Sequence, residues 1–480
     1  MSANTPSRPR RAAAAGLGAL ALGAALTAAP ASAADEHAAE HAAEVWLTTA
    51  DGEQALDRQP DAPFTGDPLP IDIAVDPGER GRPFTGAGAS VTEASAHLIS
   101  GLPEQERDAL LTDLFSAESG IGLDYLRQPF GSTDFNAGDF YTYEDVPGEF
   151  GIDRDRAEII PVLHDALAAN PDIRFMATPW SPPAWMKDGG SLNGGSLAPE
   201  HYRDYADYLV RAVQAYAEEG VRISELTVQN EPLLETGYPS TAMSAAEQAE
   251  LLSVLDGALG EAGLDTSLVA YDHNWDRPDY PLEVLERTSG IDRVAGAAFH
   301  CYAGTPDAQR QVAETGARVF FSECSGTDSE DPSRTFADTL RWQAENLVVG
   351  NMRSGGETVV LWNLALDPSG GPHQGNCQDR CNGVVEIDGD RVTRNAEYYV
   401  LGHLTSFVDP GAHRIGSTDQ GGGGVRNVVF ENPDGTRTAY VVNTASEERA
   451  FSITDQGASL ATSLPAGAVA SYTWTPAADS

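Results

Sequence analysis

A chain of 480 residues with a formal net charge of −42 at pH 7 is long enough to bury a large core in two domains. Its charge excludes nucleic-acid binding and attraction to anionic lipid as leading functions. A neutral partner is indifferent to such a field, and Lys187 is the only lysine among 30 basic residues.

In chain order, residues 1–33 read as a signal peptide. Arg8, Arg10 and Arg11 precede an uncharged Ala/Gly/Leu stretch, and Ala31-Ser32-Ala33 fits the small-residue cleavage rule. The Arg10-Arg11 pair also fits twin-arginine export. With no second long apolar run, the expected product is secreted, extracellular and not stably inserted in a membrane. Residues 34–80 hold two strand-like runs, VWLTT (45–49) and IDIAV (71–75). From 81 to 408, strand and helix patterns alternate. The strand candidates are 83–90, 123–130, 173–180, 223–230, 267–274, 294–302, 318–324 and 357–366. Between them lie helical patterns such as 199–220 and 244–263, with apolar residues at i, i+3, i+4. Eight such repeats predict an α/β fold, a (β/α)8 TIM barrel with a parallel sheet. Residues 409–480 read as short strands with tight turns (VRNVVFE, TAYVVN, AFSIT, AVASYTW). They are expected to join the N-terminal strands in one flanking all-β sandwich.

Side chains at the C-terminal ends of barrel strands face the active site. Here those ends carry Arg127, Asp134, Trp180, Asn230, Glu231, Asp272, His273, His300, Tyr302, Glu323, Trp362 and Asn363. Aromatic faces suit the apolar faces of a pyranose, and carboxylates, amides and arginine suit its hydroxyls. Glu231 and Glu323 close the fourth and seventh strand candidates, three strand–helix units apart. Two carboxyls facing each other across one rim are the equipment for cleaving a glycosidic bond. At about 5 Å, with an effective dielectric constant of about 20, two charges repel by roughly 3 kcal/mol, or about two pKa units. One glutamate is then expected to stay protonated as the acid. Elementary physics leaves open which one. Asn230 is placed to bond a sugar 2-hydroxyl, and Tyr302 to hold the nucleophile's second oxygen. The alternatives are a helix-start carboxylate at Glu231 and a strand-end salt bridge at Glu323.

Cys377 and Cys381, in the loop-like GNCQDRC, are expected to form a disulfide, since a zinc site lacks two further ligands. Cys301 and Cys324 read as free buried thiols, with a bridge between them left to geometry. No metal and no cofactor is expected. Three rivals follow from the same residues. A non-catalytic carbohydrate-binding protein would be expected to lack one acid. A Schiff-base lyase would need Lys187, read as a rim contact, and a metallohydrolase would need a third ligand beside His273 and His300.

The motifs GAGASVTEAS (86–95), RQPFGSTDF (127–135), TPWSPPAWMK (178–187), TVQNEP (227–232), FHCY (299–302), FSECSG (321–326) and WNLALDPSGGP (362–372) resemble glycoside hydrolase family 30. That family includes glucosylceramidases and β-1,6-glucanases. The resemblance spans about 45–475 and implies a barrel with a β-sandwich and a retaining mechanism. It implies Glu231 as acid/base and Glu323 as nucleophile, with Arg127, Asp134, Trp180, Asn230, Tyr302 and Trp362 shaping the glucose subsite. His300 and Asn363 are added to that substrate set as strand-end neighbours. Some members carry an aromatic residue where this chain has Cys301, while the NCQDRC loop resembles glucanase-type members. The expected partner is a β-linked glucan or glucoside, acted on by a monomer. Other β-glycans, such as β-1,6-galactan or xylan, are the alternatives within the family.

Overall fold

The computed structural model describes residues 41–477 except 375, 376, 378–380, 420, 422 and 423. The expected leader lies outside the described residues. Eight parallel strands form one sheet: Gly86–Ser90, Tyr125–Phe130, Arg174–Pro179, Ile223–Thr227, Ser267–Asn274, Val294–His300, Arg318–Glu323 and Thr358–Asn363. They are called barrel strands one to eight below. Closure of strand seven on strand eight runs through a parallel bridge between Val319 and Gly356 and a bond from Trp362 N to Cys324 O at 2.9 Å. Seven of the eight spans are almost wholly buried, because helices cover the outside and side chains fill the lumen.

Alternation along each strand sorts the lumen into layers. Tyr125, Met176, Val269, Ala298, Phe320 and Val360 form a closed apolar cluster. Two residues further along come Arg127, Thr178, His300, Ser322 and Trp362, and a left-handed bend at Tyr271 and Asp272 brings Asp272 into the same layer. The barrel therefore changes from an apolar plug to a polar floor within one layer, and that floor carries the site.

The covering helices follow from their sequences. Tyr202–Glu218 buries Tyr205, Leu209, Ala212, Val213 and Tyr216 along one face. Ala245–Glu261 starts at a capping box in which Ser244 and Glu247 satisfy each other's backbone N–H groups.

The second layer system is a nine-stranded sheet. Its order is Ala55–Pro63, Ala42–Thr48, Val469–Trp474, Arg437–Asn443, Val425–Glu431, His413–Ser417, Asp72–Pro83, Arg449–Asp455 and Ala458–Leu464. N-terminal and C-terminal strands thus share one β-sandwich, as the strand patterns predict, around a core that includes Ile73, Val429, Val441, Phe451 and Tyr472. His403, fully buried in helix Ala396–Thr405, faces Thr48 at 2.9 Å and Ser471 at 3.0 Å and ties sandwich to barrel. Burial drives this imidazole down to about 3, so it is neutral at any working pH. Among the described residues no helix is long and apolar enough to cross a membrane.

Candidate active site

Arg127 organises the floor. It is fully buried, and its guanidinium is shared among four strand ends. Nη1 donates to Glu323 Oε2; Nη2 donates to Asn230 Oδ1 at 2.8 Å and to Asp272 Oδ2 at 3.0 Å; Nε reaches Thr178 Oγ1 at 3.3 Å. Its carbon lies 4.8 Å from the Trp180 ring centre and 5.5 Å from that of Trp362. Those two indoles stack at 4.9 Å and 17°.

Asp272 is the second hub. Besides Arg127 it accepts from Thr227 at 2.9 Å, Ser322 at 2.6 Å and His300 Nε2 at 3.0 Å. Burial opposes its charge, but Arg127 and His300 outweigh it and hold the carboxyl far below the usual range. The opposite nitrogen of His300, Nδ1, lies 3.0 Å from Glu231 Oε1 and 3.8 Å from Glu323 Oε1. Burial disfavours a charge on His300, yet Glu323, Asp272 and Glu231 together raise it to about 9. His300 is therefore an imidazolium clamped between carboxylates.

The backbone is bent to make these meetings. Glu231, Tyr271 and Asp272 have φ of 45°, 72° and 65°, a left-handed conformation costing on the order of 1–3 kcal/mol for each non-glycine residue. A bond from Glu231 N to Asp272 O at 3.0 Å locks strand ends four and five together.

Glu231 and Glu323 each have one carboxylate oxygen that, with a His300 nitrogen, falls within 4.8 Å of the others. Two cations, Arg127 and His300, face three carboxyls, so a charge-balanced site holds one proton on the carboxyls. Asp272 is too stabilised as an anion to take it, which leaves it with the two glutamates. Burial, helped by the Glu231 charge, raises Glu323; His300 outweighs burial at Glu231 and lowers it. Donor placement acts in the opposite sense and decides where the shared proton sits. Both oxygens of Glu323 are solvated by the protein, Oε2 by Arg127 and Oε1 by Tyr302 Oη at 2.9 Å. Glu231 uses Oε1 for His300, and its Oε2 makes no hydrogen bond among the described residues. The same three groups resemble a metal-ligand set, but an imidazolium that donates through both nitrogens has no lone pair for a cation.

The other expected residues converge on the same mouth. Asp134 is buried beside Phe135, whose ring packs edge-on against Trp362 at 6.0 Å. Asn230 gives its oxygen to Arg127, which leaves its amide N–H groups for a ligand. Asn363 Oδ1 accepts from Thr92 at 2.8 Å, and Nδ2 has no partner among the described residues. Cys377 and Cys381 are bonded to each other.

Arg127 and His300, expected to bind substrate, are fully buried and hydrogen-bonded to Glu323 and Glu231, an arrangement that suits positioning of the two acids. Two expectations need correction. Cys301 and Cys324 are not free thiols; they form a disulfide with Cα atoms 5.4 Å apart. The reason is register: His300 pairs with Glu323 across neighbouring strands, so the next residue on each strand meets its counterpart. Lys187 is not a rim contact. Its Nζ is buried and spends three donors on Ser181 Oγ, Leu192 O and Ser240 O at 3.0, 3.0 and 2.7 Å, which leaves nothing for Schiff-base chemistry. Asp272 carried no assigned role, although its place at the end of a strand facing Arg127 was the available signal.

The Cys301–Cys324 bridge sits between Tyr302 and Glu323, so opening it is expected to loosen both. Its loop spans 23 residues, for which chain entropy gives about 3 kcal/mol. Reduction, or the double change Cys301→Ser and Cys324→Ser, is expected to lower Tm by a few degrees and to lower kcat several-fold with KM little changed. Calorimetry with steady-state kinetics checks this; an unchanged kcat beside a lowered Tm would make the bridge purely structural.

A (β/α)8 barrel with two close carboxyls at its C-terminal mouth, walled by indoles, defines a glycoside hydrolase. The family model for the glycosyl hydrolase family 30 TIM-barrel domain matches residues 84–408, and that for the family 30 β-sandwich domain matches 411–472. The chain belongs to glycoside hydrolase family 30. It is 31% identical over 405 residues to endo-1,6-β-D-glucanase neg1 of Aspergillus fumigatus, covering 77% of this chain and 80% of the relative. It is 29% identical to the lysosomal acid glucosylceramidase of Mus musculus, covering 84% and 83%. Among solved structures, the endo-β1,6-glucanase BT3312 superposes with a TM-score of 0.84 at 31% identity, covering 91% of this chain and all of that one.

Proposed function

We propose that the protein is an exported retaining β-glucosidase that cuts β-1,6-linked glucan by double displacement. In this reading Glu323 attacks the anomeric carbon, Glu231 protonates the departing oxygen, and Glu231 then activates water. The observation that carries it is the closeness of the two acids, with carboxylate oxygens inside 4.8 Å. That fits the roughly 5–5.5 Å of retaining enzymes and not the 6.5–9.5 Å that leaves room for an inverting water. Arg127 and Tyr302 hold Glu323 as an anion in the attacking position. The proton-bearing carboxyl is then Glu231, with Oε2 uncommitted. Trp180, Trp362, Asp134 and the amide of Asn230 form the glucose-binding wall.

The substrate assignment draws on the relatives named as endo-1,6-β-glucanases. The mouse relative supports a second reading, glucosylceramide. Digestion of pustulan and of a glucosylceramide side by side, with product sizing, separates them. Oligosaccharides from pustulan are the expected result; glucose released only from the lipid would overturn the assignment. Proton NMR of the first products should show the β-anomer, and an initial α-anomer would overturn retention.

A further inference from the structure

Barrel order divides the mouth in two. The indole wall comes from strands three and eight, on either side of strands one and two. The opposite side belongs to strands four to seven. There a cavity of about 440 Å³ opens between the ends of strands six and seven and the helix Thr335–Gln343. It falls in the roughly 300–1,000 Å³ range of small-ligand pockets. Tyr302 joins it to the catalytic centre, since the phenol that bonds Glu323 also lines this cavity.

Four large apolar side chains are exposed among the described residues, and two of them, Tyr302 at 47% and Trp342 at 42%, line this one cavity. Exposed aromatic faces rimmed by polar groups mark binding surfaces. The rim here is hydrophilic: Ser325, Asp328, Asp338 and Arg341. Gln343, only 1% exposed, also lines it, and its Oε1 has no hydrogen-bond partner among the described residues. A buried amide oxygen left unpaired costs about 1–3 kcal/mol, which a ligand hydroxyl would recover. The Cys301–Cys324 bridge makes the wall nearest the acids rigid.

We propose that this cavity is a leaving-group-side subsite for a glucosyl unit of a β-glucan chain, with Trp342 as its stacking platform and Gln343 Oε1 as an acceptor for a sugar hydroxyl. The proposal rests on the β-glucan reading above. An indole face beside the Asp328 and Asp338 carboxylates suits a glucosyl ring, which stacks by its apolar face and donates from its hydroxyls. The departing glucan chain is then held beyond the cleavage point.

The test compares wild type, Trp342→Ala and Trp342→Phe on pustulan, on a β-1,6-linked glucotetraose and on β-glucosyl fluoride, whose leaving group is one atom. Trp342→Ala is expected to lose roughly tenfold in kcat/KM on both saccharides, mainly through KM, and to stay within about twofold on the fluoride. Trp342→Phe is expected to recover most of the loss, and the product mixture of Trp342→Ala should shift toward shorter fragments. Equal losses on all three substrates, or none on any, would overturn the subsite. If wild type cleaves pustulan and Trp342→Ala cleaves it equally well, the subsite alone fails. If wild type cleaves only glucosylceramide, the substrate reading fails, and with it the saccharide occupant.

Discussion

Glu323→Gly is expected to lower turnover of β-glucosides by roughly 10⁵-fold or more, the scale seen when a nucleophile is removed. Added azide is expected to restore turnover as the α-glucosyl azide. The geometry explains both parts. Removing this carboxylate leaves a gap beneath the anomeric carbon that still holds the Arg127 guanidinium and the Tyr302 hydroxyl. These donors, which solvated the carboxylate, would receive a small anion in its place. Azide entering there attacks from the face Glu323 used, so one inversion of a β-glucoside gives the α-product. Glu323→Gln keeps shape and donors but fills the gap, and should be equally inactive and not rescued. Product stereochemistry by NMR checks the assignment. A β-azide from the glycine variant would mean that azide entered on the other face, and the roles of the two acids would be exchanged.

The same donors explain which parts of the site could be read from sequence. Buried parallel strands appear as short continuous apolar runs, so all eight barrel strands are visible, and their last residues identify the rim. Depth within the lumen is harder to see. Arg127 and Trp362 both lie near strand ends, yet the guanidinium is fully buried and packs against both indoles. His300 is hard to place for the same reason: its neighbour Glu231 is three-dimensional, brought close by a left-handed bend at residues 271 and 272 that no local pattern announces. The Cys301–Cys324 bridge was nearer to hand. Both cysteines stand one residue past their strands, and neighbouring parallel strands put such residues side by side. Lys187 shows the reverse limit. A lone lysine after a strand looks exposed until oxygens of Ser181 and Leu192 in its own loop and of the distant Ser240 close around it.

Glu231→Ala is expected to cost about 10²–10⁴-fold in kcat/KM on pustulan, whose leaving group must be protonated, and far less on 2,4-dinitrophenyl β-glucoside, whose leaving group departs unaided. With the general base also gone, the glycosyl-enzyme should accumulate on the activated substrate, giving a burst of dinitrophenol, a lowered KM and rescue by azide to the β-azide. The pH profile gives an independent sign. In the wild-type protein burial holds Glu323 above its ordinary value, so activity falls as pH drops through that raised value and Glu323 takes up a proton. Glu231→Gln keeps the size of the side chain and removes its charge. Glu231 already carries its proton where Glu323 titrates, so the acid limb should hardly move, and the alkaline limb, which reports loss of the acid's proton, should flatten. An unchanged alkaline limb, or equal losses on activated and unactivated substrates, would remove Glu231 from the acid role.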